Sequence, residues 1–204
     1  MLATVDQLKT YLNIGPADLT QDGRLDMLLR QVSARLAVEA GRTDGHVPCL
    51  ESKDRVKYGT FWTDQTALWL PAFPVSEIIS VREADREQFD SAPELLAGQD
   101  YQLDPGLGVL YRANMFWRRG TRAVRVVYVG GYAPAGVEIA GVEPLPDDIN
   151  QAAILQAAYW FQRRHQGLGV ESSSTAGGSF SMATVDGLLP EVVQTMARYR
   201  RMYL

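Results

Sequence analysis

Cysteine is almost missing from this sequence. Cys49 stands alone in 204 residues, so no intramolecular disulfide can form and nothing points to an oxidising compartment. Histidine is nearly as scarce, with only His46 and His165. His46 and Cys49 are three apart and could supply two metal ligands, but a structural zinc site needs about four and no second pair exists. A loop histidine beside a structural cysteine is the expected reading, with no metal and no cofactor. No apolar run approaches the roughly 20 residues needed to span a bilayer, and no membrane partner is expected. Met1-Leu2-Ala3-Thr4 lacks the basic and apolar regions of a signal peptide. A soluble intracellular protein is expected. Excess positive charge is absent too: the formal net charge is -4, which argues against a free-standing nucleic-acid binder.

Catalytic patterns are equally wanting. No serine stands in a strand–turn–helix elbow. Gly167-Leu168-Gly169 lacks the preceding strand and following helix of a dinucleotide loop. Asp147-Asp148 follows a proline at a helix start, where capping and the helix dipole account for both carboxylates. His165 beside Arg163 and Arg164 reads as a helix C-terminus rather than a general base. Trp62, Trp69, Trp117 and Trp160 are scattered through different elements, which favours packing over a binding platform. Arg118, Arg119, Arg122 and Arg125 form the densest basic group. Near Phe116 and Trp117 they could line a nucleic-acid groove, but acidic residues are plentiful in the same stretch and a salt-bridged surface is expected. No enzyme is predicted.

What is present is a core. Hydrophobic residues make up 46% of the chain, enough for a globular domain with a large insert. The organising stretch runs from 123 to 166. A strand-like run at 124–129 stops at Gly130-Gly131. Leu145-Pro146-Asp147-Asp148 then opens a helix carrying Ile149, Ala152, Ala153, Leu155, Ala157, Trp160 and Phe161. A helix apolar nearly all round belongs at the centre of a core, so Trp160 is expected to be buried.

The chain in order supports a helical core around it. Thr4 and Gln7 fit a capping box, with Leu8, Tyr11 and Leu12 on one face and Gly15-Pro16 as the stop. From Asp22, Leu25, Leu28, Leu29, Val32 and Leu36 follow helical spacing to Gly41, with Arg24, Arg30 and Arg35 opposite as a solvated face. Helices are predicted near 4–12, 22–40, 147–166 and 190–202. Between them the apolar runs shorten and prolines and glycines recur. Strands are predicted at 67–70, 78–81, 101–103, 109–111 and 124–129, forming an antiparallel sheet or small barrel within 54–132. Residues 167–187, rich in Ser and Gly, are predicted to be disordered or to order only on binding. In the last helix Val192, Val193, Met196, Tyr199 and Tyr203 share a face, and Arg198, Arg200 and Arg201 lie in its last turns. The fold class is α+β: a helical core from 1–45 and 145–204, and a β-rich insert from 46–144.

The order of the motifs adds a resemblance. Val5-Asp6-Gln7-Leu8-Lys9-Thr10-Tyr11-Leu12, the Leu-rich helix of 25–40 and Leu70-Pro71-Ala72-Phe73-Pro74-Val75 come first. Tyr101-Gln102-Leu103-Asp104, Tyr128-Val129-Gly130-Gly131-Tyr132, Leu145-Pro146-Asp147-Asp148-Ile149 and a closing Tyr199-Arg200-Arg201 follow. This order resembles the head–tail connector (adaptor, or head-completion) proteins of long-tailed bacteriophages and gene-transfer agents. Compact members of that group are nearly all helical, so the β insert is a departure. The resemblance implies a structural virion protein, made in the bacterial host cytoplasm. It would form a dodecameric ring between the portal protein and a tail-side head-closure or tail-completion protein. Double-stranded DNA would pass through the ring unread. It also implies that the C-terminal end, with Arg198, Tyr199, Arg200, Arg201 and Tyr203, docks on the portal. Two alternatives stand beside it. One is a tail-completion or head-closure protein. The other is a ligand- or carbohydrate-binding β module, which requires Trp62, Trp69 and Trp117 exposed on one face.

Overall fold

The computed structural model describes residues 1–85, 87–165, 172–175, 178–181 and 187–200. It divides into two compact units, Met1–Gly41 with Leu145–Leu204, and Arg42–Pro144. Helices and antiparallel sheets are both well represented, so the fold is α+β. No helix among the described residues is long and apolar enough to cross a membrane.

The first unit is built from α1 (Val5–Tyr11), α2 (Asp22–Glu39), α3 (Asp147–His165) and α4 (Pro190–Arg198). The capping box forms as the sequence predicts: the Gln7 N–H donates to Thr4 Oγ1 at 3.2 Å, and the Thr4 N–H to Gln7 Oε1 at 2.9 Å. The stop differs from the expected Gly15-Pro16. Asn13 takes a left-handed φ of 55°, the Ile14 N–H reaches Lys9 O at 2.9 Å, and the Asn13 N–H reaches Thr10 O at 3.3 Å. That is a Schellman closure, which satisfies the last carbonyls of the helix before the glycine is reached. Of the expected apolar face only Leu8 is buried; Tyr11 is exposed. Lys9 is buried instead, its ammonium paired with Asp22 at the first residue of α2.

α2 buries the five predicted residues, Leu25, Leu28, Leu29, Val32 and Leu36, and ends at Gly41 with φ 62°. Arg30 and Arg35 face solvent, while Arg24 sits 5.5 Å from the Phe161 ring centre. α3 touches each of the other three helices, the expected hub. Its buried residues are mostly small (Ala152, Ala153, Ala157 and Ala158 beside Ile149 and Ile154), which lets neighbouring helices approach closely. Trp160 and Phe161 are only half-buried, against expectation. They lie toward the end of the helix, where fewer neighbours remain to cover them. The fully buried polar residue is Gln156, whose Oε1 accepts the Leu189 N–H at 2.8 Å just before α4.

The second unit holds β1 (Thr43–Asp44), β2 (Val47–Pro48), β3 (Lys53–Phe61), β4 (Ala67–Trp69), β5 (Val75–Glu83), β6 (Tyr101–Asp104), β7 (Val109–Arg112) and β8 (Gly120–Gly130). β1 and β2 make a small hairpin. The others form two antiparallel three-stranded sheets, ordered β3-β8-β5 and β4-β7-β6. One core serves both, with Phe61, Leu68, Val81, Leu110, Trp117 and Tyr128 at its centre. The five predicted strands are β4 to β8. β3 was not foreseen, because its alternation is mostly charged and Val56 faces outward at 47% exposure. It exists through its pairing with β8, from Lys53↔Gly130 to Gly59↔Val124. Gly130-Gly131 closes β8 for steric reasons. A Cβ at Gly131, whose φ is 112°, would stand 2.5 Å from the Glu51 backbone, and one at Gly130 would stand 2.6 Å from Ala72 O.

Disorder over 167–187 is a prediction the structure corrects in part. β9 (Ser172–Thr175) pairs antiparallel with β10 (Gly178–Ser181). Strand pairing draws on backbone groups, so a low apolar content does not prevent it. Gly167, Leu168 and Gly169 lie outside the described residues.

Candidate docking surfaces

The C-terminal segment was the predicted docking element, and its geometry is now specific. Leu188, Val192 and Met196 are buried, so α4 belongs to the core of its unit. The last described residues hold it there. The Tyr199 hydroxyl donates to Asp148 Oδ1 at 2.5 Å, in the first turn of α3. Arg200 Nη2 donates to Glu39 O at 3.1 Å and to Glu39 Oε1 at 2.8 Å, and its Nε reaches the same carbonyl at 3.3 Å. A cation at this point satisfies a free carbonyl and complements the negative end of the α2 dipole. Arg198 is different: its side chain is 75% exposed and comes no closer than 4.0 Å to Asp148. Arg201 and Tyr203 lie outside the described residues. Of the three predicted docking residues that are described, Tyr199 and Arg200 are held by internal hydrogen bonds, and Arg198 projects, with only a long ion pair to Asp148. Asp148 and Glu39 were not foreseen as their acceptors. The only sequence hints were a carboxylate at one helix start and another at a helix end.

The basic group of the second unit is paired throughout. Arg118 pairs with Asp85, and Arg119 with Asp64 at 2.6 Å. Arg122 pairs with Glu87 at 3.2 Å and lies 3.9 Å from the Tyr58 ring centre. Arg125 reaches Asp90 at 3.5 Å and lies 5.0 Å from the Phe89 ring centre. The salt-bridged surface predicted from the sequence is what forms. Deeper in, Arg112 donates to Asp100 O at 2.5 Å, pairs with Glu83 at 3.4 Å and covers Trp117 at 5.7 Å. Glu83 also accepts the Arg118 N–H at 3.0 Å, so one carboxylate joins β5, β7 and the segment before β8.

Neither rival chemistry gains from the geometry. Trp62 is 73% exposed and Trp69 partly buried, but Trp117 is 1% exposed and stacked on Phe61 at 6.3 Å between ring centres. The three do not form the exposed face that a sugar-binding module requires. The Cys49 thiol is buried and donates to Val47 O at 3.3 Å, and burial raises its pKa, whereas His46 is exposed. Arg42, at the entry to this unit, is buried against the Phe73 ring at 3.7 Å and the Tyr132 ring at 5.1 Å. Burial lowers its pKa, but an arginine starts high enough to remain charged.

Comparison with known proteins decides the family. The head completion protein model matches residues 1–203. The chain belongs to the head completion protein family. As a head completion protein it has a structural adaptor role at the head–tail junction of the virion. Solved structures of the same fold include the neck of an empty gene transfer agent particle computed with C6 symmetry. There the identity is 21% and the TM-score 0.65, over 98% of this chain and 90% of that one. The neck of the native particle computed with C12 symmetry gives 18% and 0.61, over 98% and 89%. The virion of the native gene transfer agent gives 20% and 0.64, over 98% and 90%. No curated protein sequence matches the chain.

Proposed function

We propose that this head completion protein forms a homo-oligomeric ring, dodecameric in the particle, between the portal protein and a tail-side head-closure or tail-completion protein. It has no catalytic role and is made in the cytoplasm of the bacterial host. The observation that carries this reading is the family match over residues 1–203, joined by likeness to neck structures over 98% of the chain. Double-stranded DNA passes through the ring without being read. A net charge of -4 suits a channel wall that DNA slides past, because a basic wall would bind phosphates.

The C-terminal end docks on the portal through Arg198, together with Arg201 and Tyr203. Tyr199 and Arg200 hold α4 in place behind them. Weak contacts of this kind become tight when repeated around a ring. The test is co-sedimentation of the full chain with portal rings at physiological salt. Reversing Arg198 and Arg201 together to Glu, with Arg200 kept, should lower portal binding at least tenfold and leave the circular dichroism unchanged. A folded double variant that still sediments with portal at the wild-type level would show that these arginines do not dock.

A further inference from the structure

The outer face of the β3-β8-β5 sheet is covered over only part of its length. Residues paired across the strands form rows, and every second row points to the same side. One outer row is Tyr58, Arg125 and Arg82, and Phe89 covers it. The Phe89 ring centre lies 5.9 Å from that of Tyr58 and 5.0 Å from the Arg125 guanidinium, and its carbonyl accepts Arg82 Nη1 at 3.1 Å. The next outer rows are Val56, Val127 and Ser80, then Asp54, Val129 and Glu77. These reach solvent. Val56 is 47% exposed, and Ile79, at the bulge beside Ser80, is 46% exposed. Asp54 and Glu77 are exposed on either side of Val129, and neither has an ion pair among the described residues. Two strand spacings separate their backbones by about 10 Å. An open apolar strip between two free carboxylates marks an interaction surface.

In the helical unit, α2 turns a face of matching form to solvent. Met27 is 53% exposed and Val38 55%, and with Ala34 they make one stripe at helical spacing. At about 100° per residue, Arg30 falls to one side of that stripe and Arg35 to the other. Arg35 is exposed and has no ion pair among the described residues. Arg30 pairs with Asp26, yet its side chain stays 71% exposed. The remaining charges of the helix have partners inside the unit: Asp22 with Lys9, Glu39 with Arg200, and Arg24 against the Phe161 ring. A helix with its side chains is roughly 10–12 Å wide. That width matches the spacing of Asp54 and Glu77.

We infer that the Met27 to Val38 face of α2 packs on the open rows of the β3-β8-β5 sheet of a second copy of this chain, with Arg30 and Arg35 reaching Asp54 and Glu77. Charge selects this occupant. The open rows present two carboxylates and no cation. Arg82 and Arg125, in the covered row, are paired with Glu94 and Asp90. Lys53 and Lys57 belong to the opposite face of β3, beside Glu51 and Asp44. The α2 face presents an arginine on each side of an apolar stripe. Opposite charges around apolar centres choose partner and register. Sheet on sheet, or helix on helix, would set like charges together. The two surfaces differ and both belong to one chain, so the contact is heterologous and repeats from copy to copy, the geometry that closes a ring. The inference rests on the ring reading and names the contact that builds it.

The experiment places the photo-crosslinker benzoyl-phenylalanine at position 56 of the full chain. Copies labelled with light and heavy nitrogen are mixed and irradiated, alone at high concentration and on portal rings. The expected result is a band at twice the chain mass whose mixed-label peptide maps to 27–38. Arg30→Glu with Arg35→Glu should lower its yield at least tenfold. Adding Asp54→Arg and Glu77→Arg to the same chain should restore it, with folding of both variants checked by circular dichroism. A yield that the reversal leaves unchanged, or that the swap does not restore in a folded chain, would overturn the contact. Whatever the variants do, cross-links only within one copy, only to portal, or to another part of the second copy would overturn it too. So would the absence of any cross-link in both samples. Portal co-sedimentation is scored separately. Loss of portal binding with the intersubunit cross-link retained rejects the adaptor reading alone, and portal binding without the cross-link rejects this contact alone.

Discussion

The two units handle most of their charge differently, Arg24 against the Phe161 ring being an exception in the helical unit. In the helical unit, polar side chains act at helix ends. Thr4 and Gln7 cap α1, Lys9 meets Asp22 at the start of α2, Tyr199 meets Asp148 at the start of α3, and Arg200 closes α2 on Glu39. In the β unit, arginines lie on rings and across strands: Arg42 on Phe73, Arg122 on Tyr58, Arg125 on Phe89, Arg112 between Trp117 and Glu83. The cause is where free backbone groups occur. Helix termini leave N–H and C=O groups without partners, and side chains fill that need. A sheet satisfies its interior backbone through its neighbours, so a cation crossing it must find a carboxylate or an aromatic face. A run of arginines in a sequence therefore does not imply a free basic surface.

The largest test of this contrast sets one tryptophan against another. Trp117 is enclosed, stacked on Phe61 and covered by Arg112, so Trp117→Ala should cost about 3–5 kcal/mol in urea denaturation. Trp160 is half-buried, and Trp160→Ala should cost roughly 1–2 kcal/mol. Equal losses would mean that the helical hub is packed as tightly around Trp160 as the β core is around Trp117.

A smaller effect is confined to alkaline pH. Tyr128 is buried in the β core, accepts the Ala72 N–H at 3.2 Å, and has its pKa pushed up from 10.0 to about 12, chiefly by burial. Between those values the unfolded chain has released a proton that the native state still holds. Stability is thus complete below about pH 10 and falls by roughly 2–3 kcal/mol as pH rises through about 12. The Cys49 thiol, raised by burial, acts in the same direction from lower pH. In urea midpoints taken from pH 9 to 12, Tyr128→Phe should flatten the upper part of the slope. An unchanged slope would assign the loss to other groups.

The smallest pair sharpens the rule about helix ends. Thr4→Ala removes a cap whose partner N–H has no substitute and should lower stability by about 1 kcal/mol. Arg118→Ala removes an ion pair with side chains 46% and 70% exposed and should change it by under about 0.5 kcal/mol, because solvent screens such pairs. Thermal melts at matched salt would separate them. A larger loss from Arg118→Ala would show that the surface pairs act as a network.

The sequence by itself determined what is local. Leucines at helical spacing, the Thr4–Gln7 box, a largely apolar helix after Pro146 and the shared face of Val192, Val193 and Met196 marked the four helices, and short apolar runs between turn residues marked β4 to β8. The order of those motifs carried the family. Tertiary structure alone decided what depends on distant partners. β3 has no apolar period of its own and is made by its register on β8. The β9–β10 hairpin arises from backbone pairing that composition does not record. Arg200, expected among the docking residues, meets Glu39, which lies 161 residues away along the chain. Periodicity reports which face of an element is apolar. It cannot report which carboxylate an arginine will meet, because that depends on how the elements pack.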